Sequence, residues 1–337
     1  MTAPFASFKS GDLEGLVDVE RLRAWLDARG VEPGADLSVR RISGGMSNES
    51  IGVERGGRRF VLRRPAVIAL ERADRGMERE FRMLTALVGT DVPHPPPIAL
   101  CTDREVIGSA FYLMGHIDGF TSLQRLPEPF ARDPGLQRDI ALATADALGR
   151  LARVDWRARG LAGFGRPDGF HERQVGRWLA QLDSYRAREI PSIGDVGAWL
   201  TEHRPSAWTP GIMHGDYHAA NVLVAPDPPA RVAAILDWEN CTIGDPLLDL
   251  AGFLHMTSTS ERAAWAERAA LIDRWERSSG RRAPDLRYYT ALYNFKLAVM
   301  LEGVYQRSLA DPTRGDPGAM GETVLRLARE AAAAITA

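Results

Sequence analysis

The sequence predicts an α+β, two-lobed chain. A small N-terminal lobe holds an antiparallel β-sheet with one inserted helix, and a larger, mainly helical C-terminal lobe carries an embedded β-hairpin. Three observations predict this. Short β-compatible segments separated by glycine pairs fill the first third of the chain. Apolar residues at helical spacing dominate from Leu136 onward. A β-like island between Ile212 and Leu236 interrupts those helices. The boundary is expected near the end of the last N-terminal strand, giving lobes of residues 1–116 and 117–337.

Val19 to Ala28 puts Leu22, Trp25 and Leu26 on one face and stops before Gly30, which predicts an opening helix. Leu37–Ile42, Ser50–Val53 and Phe60–Leu62 read as strands. Gly56-Gly57 signals a hairpin between the last two. Gly44-Gly45, flanked by Ser43, Ser47 and Asn48, forms a polar glycine loop between the first two. Asp74 to Val88 carries Met77, Phe81, Leu84 and Val88 at turn spacing and is helical; the prolines from Pro93 to Pro97 cannot continue it. Ile98–Cys101 with Val106–Ile107, and then Phe111–Met114, read as further strands, with Gly115–Gly119 as a connector. Leu136–Val154, His171–Arg188 and Ile193–His203 are helical. The island comprises Ile212-Met213, Val222–Val224 and Val232–Leu236, with Pro226–Pro229 turning the chain. Helix returns after Pro246 and runs to about Ile335, broken near Ser278–Pro284.

Composition narrows the function classes. Across 337 residues, Lys plus Arg number 42 and Asp plus Glu 44, a net charge of -2, which argues against a dedicated nucleic-acid binder. Cys101 and Cys241 are the two cysteines and lie far apart, outside any C-x-x-C spacing, so a disulfide framework is not expected and a reducing cytoplasm fits. No apolar window reaches the length of a membrane span, so no membrane partner is expected. Nothing in the sequence assigns an oligomeric state.

The chemistry concentrates in His214-Gly215-Asp216-Tyr217-His218-Ala219-Ala220-Asn221, followed by Ile235-Leu236-Asp237-Trp238-Glu239. An Asp in a loop, an Asn five residues later and a second Asp closing the next strand can converge on one point. Asn and Asp oxygens are hard ligands suited to Mg²⁺, which takes few protein ligands. A remaining carboxylate can then orient a hydroxyl or accept its proton.

These motifs resemble the protein-kinase catalytic loop and its metal-binding Asp. The forms found here, His214-Gly215-Asp216 and Asp237-Trp238-Glu239, are similar to those of the aminoglycoside phosphotransferase and choline kinase superfamily, which has a bilobal protein-kinase-like fold. Gly244-Asp245-Pro246 followed by Asp249-Leu250-Ala251 continues the match. Phe60-Val61-Leu62-Arg63-Arg64-Pro65, the run Arg79 to Leu84 and Phe111 to Met114 also look like the phosphotransferase domain found fused to acyl-CoA dehydrogenases. No flavin site or dehydrogenase-length domain is expected from the residues themselves. The resemblance covers most of residues 35 to 310.

The resemblance implies ATP (or GTP) and Mg²⁺ as cofactors. Asp216 is then the catalytic base or hydroxyl-orienting group, and Asn221 and Asp237 hold the metal. Ser43, Gly44, Gly45, Ser47 and Asn48 cover the phosphates, and Met114 to His116 form the hinge that meets the adenine edge. His214 and His218 brace the loop. One departure stands out: where the family places Lys on its third strand, this chain has Arg63. Arg63 would hold the phosphates and pair with Glu80 on the inserted helix, though Arg differs from Lys in size and reach. Arg64 and Glu78 are the alternatives; adjacent strand residues face opposite ways, so only one of the two arginines can enter the cleft.

The plain readings stand beside these. A glycine pair is usually a turn, a helical Glu is usually solvated, and Asp245 and Asp249 fit structural roles as well as functional ones. His214, Asp216, His218 and Asp237 could also be ligands of a metallohydrolase, a reading that leaves Asn221 unexplained. A nucleotide-binding module without catalysis is the other alternative, and Arg63 is its support. For the acceptor, Tyr289, Tyr293, Lys296, Met300 and Arg307 line one late helix in which Glu302 is the lone acid. That favours a neutral or anionic small-molecule hydroxyl acceptor over a polycation, with a hydroxy acid or its CoA ester in keeping with the resemblance.

Overall fold

The computed structural model describes residues 16–44, 48–66, 70–123, 125–185, 188–311 and 316–336. It divides into two compact units. The first runs to Thr121 and also takes in Leu223–Pro226 and Val232–Cys241; the second comprises Ser122–Val222, Asp227–Arg231 and the chain from Thr242.

In the first unit, α1 (Val19–Ala28) starts where the Asp18 carboxylate accepts the Arg21 N–H at 3.0 Å, and it buries Leu22 and Leu26. Five antiparallel strands follow: β1 (Leu37–Gly44), β2 (Asn48–Arg55), β3 (Arg58–Pro65), then, after the helix α2 (Leu70–Leu87), β4 (Pro97–Cys101) and β5 (Phe111–Gly115). Their spatial order is β1-β2-β3-β5-β4. Period-two alternation sorts the side chains. Ile51, Val53, Phe60, Leu62, Phe111 and Leu113 form one core with Leu22 and Leu26 of α1. The inserted helix α2 buries Met77, Glu80, Met83, Leu84 and Leu87. Val88, expected on that face, is half exposed because the helix stops at Leu87.

The Val106–Ile107 segment is a correction. It forms a single helical turn, α3 (Arg104–Ile107), not strand. The Asp103 carboxylate accepts the Glu105 N–H at 2.9 Å, and Gly108 closes the turn with φ +83°. Local capping overrides the β-branched pair. Beyond the connector, β6 (Phe120–Thr121) adds a two-residue strand that pairs with Leu223 and Val224.

The second unit is mostly helix: α4 (Pro134–Arg153), α5 (Phe170–Ser184) and α6 (Ile193–Glu202) precede the island. The island itself holds β7 (Gly211–Met213), a 3₁₀ turn at Ala219–Asn221, β8 (Val222–Val224), β9 (Val232–Ile235) and β10 (Thr242–Gly244). β8 lies between β6 and β9, and β7 pairs with β10. The last of these strands is too short to carry a period and pairs 29 residues away in sequence, Thr242 with Met213. The closing helices are α7 (Leu247–Ser258), α8 (Arg268–Ser279), α9 (Arg287–Ala310) and α10 (Pro317–Thr336). The expected break after Ser278 is present, and the helical run is also interrupted between α7 and α8 and between α9 and α10. α4 and α8 touch closely at Gly149, where a Cβ would lie 2.7 Å from Ser278 Cβ. No helix among the described residues is long and apolar enough to cross a membrane.

Candidate active site

Arg63 and Arg64 sit side by side on β3 and go opposite ways. Arg64 follows Phe60 and Leu62 to the α1 face. There its buried guanidinium donates to the carbonyls of Leu16, Ile107 and Pro65. Arg63 faces the α2 side of the sheet. Its Nε donates to Glu80 Oε2 at 3.1 Å, and its Nη2 donates to Asp237 Oδ1. Asp237 follows β9 in a left-handed conformation, φ +63°, that an ordinary side chain adopts only at some cost.

Glu80 is almost fully buried and has three donors around it. Besides Arg63, the Tyr112 hydroxyl donates at 2.8 Å and Asn48 Nδ2 approaches at 3.4 Å. Asn48 also donates to Glu239 Oε2 at 2.8 Å. Burial pushes the Glu80 carboxyl above its ordinary range, with Arg63 pulling against that shift. Burial works against the charge of Arg63, but Glu80, Asp237 and Glu239 more than offset it and hold the guanidinium above its usual range. The first unit thus brings together Asn48, Arg63, Glu80 and Asp237. Glu78 is exposed on α2 and Arg64 is turned away.

The glycine loop is only partly described. Ser43 and Gly44 end β1 opposite Ser50 and Glu49, while Gly45 and Ser47 lie outside the described residues. At the far end of β5, Met114 pairs with Val61 and is buried. The Gly115 N–H donates to Pro96 O at 2.9 Å, and the His116 N–H to Arg59 O at 3.1 Å. Gly115 has a steric reason: a Cβ there would meet Pro96 Cγ at 2.6 Å. Burial, then the Arg59 charge, lower the His116 pKa, so the ring is neutral near pH 7.

In the second unit the loop after β7 is held by side chains. Gly215 has φ +84°, a turn that suits glycine. Asp249 of α7 accepts the His214 N–H through Oδ2 at 2.5 Å and the Gly215 N–H through Oδ1 at 3.0 Å. Lys296 Nζ on α9 donates to Gly215 O at 3.1 Å. The Asp216 N–H donates to His214 Nδ1 at 3.3 Å, and Asn221 Nδ2 donates to Asp216 O at 2.9 Å and Oδ2 at 3.3 Å. His218 Nδ1 accepts the Ala220 N–H, so a neutral ring carries its proton on Nε2, 3.4 Å from Asp216 Oδ1. Tyr217 anchors the loop below, its hydroxyl donating to Thr144 O at 2.7 Å.

Burial raises the Asp216 pKa, but the His218 hydrogen bond and the Lys296 charge help to outweigh it, and the carboxyl lies below its ordinary range. Asp216 is therefore ionised at neutral pH. Asp249 goes the other way: burial pushes it up to about 6 against the pull of the His214 and Gly215 amides and Lys296. Asp245, the other acid of ambiguous role, is internal and structural in its contacts. It accepts from Leu247 N, from the Tyr289 hydroxyl at 2.7 Å and from His171 Nε2 at 3.1 Å.

Asn221 in the second unit and Asp237 in the first each keep an oxygen of the hard kind that a divalent cation takes. Asn221 uses its Nδ2 on Asp216 and keeps Oδ1 as a neutral oxygen donor; Asp237 gives Oδ1 to Arg63 and keeps Oδ2. Sequence reasoning gave Asp249 no part in the loop. Its only sequence signal was its place five residues after Gly244 in the family-like run.

The sheet with its inserted helix and the helical unit with its embedded strands are those of the protein-kinase-like fold. The chain belongs to the phosphotransferase enzyme family, whose family model matches residues 38–286. Acyl-CoA dehydrogenase family member 11 of Gallus gallus is 32% identical over 299 residues, which cover 82% of this chain and 38% of that protein. The chain thus spans about two fifths of the length of that relative. The crystal structure of a protein assigned as an aminoglycoside phosphotransferase, from Ralstonia eutropha JMP134, superposes with a TM-score of 0.82 at 28% identity, covering 95% of this chain and 98% of that one. The GDP complex of an aminoglycoside 2′-phosphotransferase shares the fold at a TM-score of 0.62 and 16% identity, over 94% of this chain and 99% of that one.

Proposed function

We propose that this chain is a kinase of small molecules, transferring the γ-phosphoryl group of ATP or GTP to an acceptor hydroxyl with Mg²⁺. The observation that carries the reading is the Asp216–Asn221 loop. There an ionised carboxylate is fixed by the amide of the Asn that resembles the metal-binding Asn of kinases.

Asp216 orients the acceptor hydroxyl and takes its proton as the oxygen–phosphorus bond forms; a carboxylate kept ionised at neutral pH is ready for that task. Asn221 and Asp237 would hold the metal, which when bound neutralises phosphate charge. Arg63, kept cationic and braced by Glu80, binds phosphate oxygens, for which its planar fork is suited. Asn48, at the start of β2, ties the glycine loop's far end to Glu239 and Glu80. Ser43, Gly44, Gly45 and Ser47 cover the phosphates, and Met114 to His116 meet the base. Positioning and charge neutralisation supply most of the acceleration in this chemistry.

The acceptor we propose is neutral or anionic, such as a hydroxy acid or its CoA ester, and not a polycation. The face of α9 that carries Tyr293 and Lys296 supports this, because Lys296 sets a cation beside Asp216. A nucleotide-binding chain without turnover is the second reading. It is favoured by Arg63, whose guanidinium engages Asp237 directly. The two separate in one experiment: thermal shift with Mg-ATP and Mg-GTP, followed by a phosphorylation screen of hydroxy acids, their CoA esters, sugars and amino alcohols. Stabilisation with turnover supports the kinase. Stabilisation with no turnover of any of these supports the second reading.

A further inference from the structure

The two residues around the candidate base, Gly215 and Asp216, have no strand or helix to hold them, yet all four of their main-chain polar groups are bonded to side chains. The Gly215 N–H goes to Asp249, the Gly215 carbonyl to Lys296, the Asp216 N–H to His214 and the Asp216 carbonyl to Asn221. Two of these four side chains come from within the loop. Asp249 and Lys296 come from outside it, on α7 and α9. They carry opposite charges and grip opposite ends of the same residue. Charge-assisted hydrogen bonds are about twice as strong as neutral ones.

Lys296 has few other reasons to be where it is. It lies in a helix whose neighbouring turns bury Leu292, Phe295, Ala298 and Val299, and its Nζ is 5.9 Å from the centre of the Trp178 ring. Burial lowers its pKa and Arg177 of α5 adds to that, while Asp249 and Asp216 act to keep it protonated. A methionine of similar length would pack there at less cost. An amine kept among these apolar side chains finds its task in the hydrogen bond to the Gly215 carbonyl.

We infer that Lys296 is a positioning residue, which fixes the Gly215 peptide from the side opposite Asp249 and so aims the Asp216 carboxylate. This rests on the kinase reading only for its catalytic consequence; the mechanical claim stands on the hydrogen bonds alone. A misplacement of about 1 Å in a catalytic group can cost on the order of 100-fold in rate.

Two variants of the full chain test it. Lys296→Met keeps the length and removes the charge, and Lys296→Arg keeps the charge. Hydrogen exchange read by mass spectrometry on the segment 212–224 reports the loop whether or not an acceptor is known. Lys296→Met is expected to speed exchange there about tenfold or more, with α4 and α8 unchanged, and Lys296→Arg to restore much of the protection. Unchanged protection in Lys296→Met would overturn the inference, as would a loss spread equally over α4, α8 and the loop. Once an acceptor is in hand, Lys296→Met is expected to lower kcat about 10- to 100-fold with the KM for Mg-ATP within about twofold. Equal losses in both parameters would also overturn it. If the wild-type chain turns over no acceptor, the kinase reading fails, and the exchange result still decides the role of Lys296.

Discussion

Arg63 stands where the resemblance to kinases implies a lysine, and the surrounding side chains suit a guanidinium. A guanidinium can reach Glu80 and Asp237 together, which a single ammonium would do less well. Arg63→Met should therefore weaken Mg-nucleotide binding by about 10- to 100-fold, the worth of roughly one charge-assisted bond; isothermal titration would measure it. Arg63→Lys should retain most of the binding. If Arg63→Met binds nucleotide as the wild type does, Arg63 is not a phosphate ligand. The opposition of Arg63 and Arg64 was legible from strand alternation alone. The carbonyls that Arg64 caps were not, since Leu16 and Ile107 lie 48 and 43 residues away in sequence. The same limit applies to the loop after β7: its Asp and Asn stand five apart and can be read together, whereas Asp249 and Lys296 reach it from 34 and 81 residues beyond Gly215.

Among the elements, those with a long apolar period were readable and those made by pairing or capping were not. α1 and α2 announce themselves by turn spacing, and the strands of the five-stranded sheet by glycine-bounded β-branched runs. β6 and β10 hold two and three residues, too few to show any period, and exist because a partner strand is there. α3 was read as strand because Val106 and Ile107 favour it, but Asp103 and Gly108 cap a helical turn at both ends. The α7–α9 crossing that carries Asp249 and Lys296 depends on Gly252, where a Cβ would lie 2.4 Å from Tyr293 Cε2. Gly252→Ala should overpack this crossing and destabilise the chain by about 1–3 kcal/mol. Urea melts would show it as a lower midpoint at unchanged slope. Stability equal to wild type would mean that the two helices are free to part at this point.

At the scale of the whole molecule, Asp216 and Asn221 belong to the second unit and Asp237 to the first. The N-terminal antiparallel sheet and the helical majority were legible as a fold class, but the membership of Val232–Cys241 in the first unit is a property of packing alone. A pH dependence follows from Asp249, whose pKa of about 6 lies above the ordinary 3.8. The folded state holds this proton longer than the unfolded chain, so its contribution to stability is full below about pH 4 and is lost as pH rises through about 6. Activity runs the opposite way, because the ionised carboxylate is the form that accepts both loop amides. The rate should fall as pH drops through about 6 while melting shows no matching loss from this group. A rate that stays level down to pH 5 would rule Asp249 out of the loop's support. The central claim, phosphoryl transfer through Asp216, is tested most directly by following the γ-phosphoryl group of Mg-ATP onto a hydroxylated acceptor with the wild type and with Asp216→Asn. The account expects transfer by the wild type and a loss of at least about 1,000-fold in the variant, with nucleotide-induced thermal stabilisation kept in both. Transfer by Asp216→Asn at the wild-type rate would contradict it.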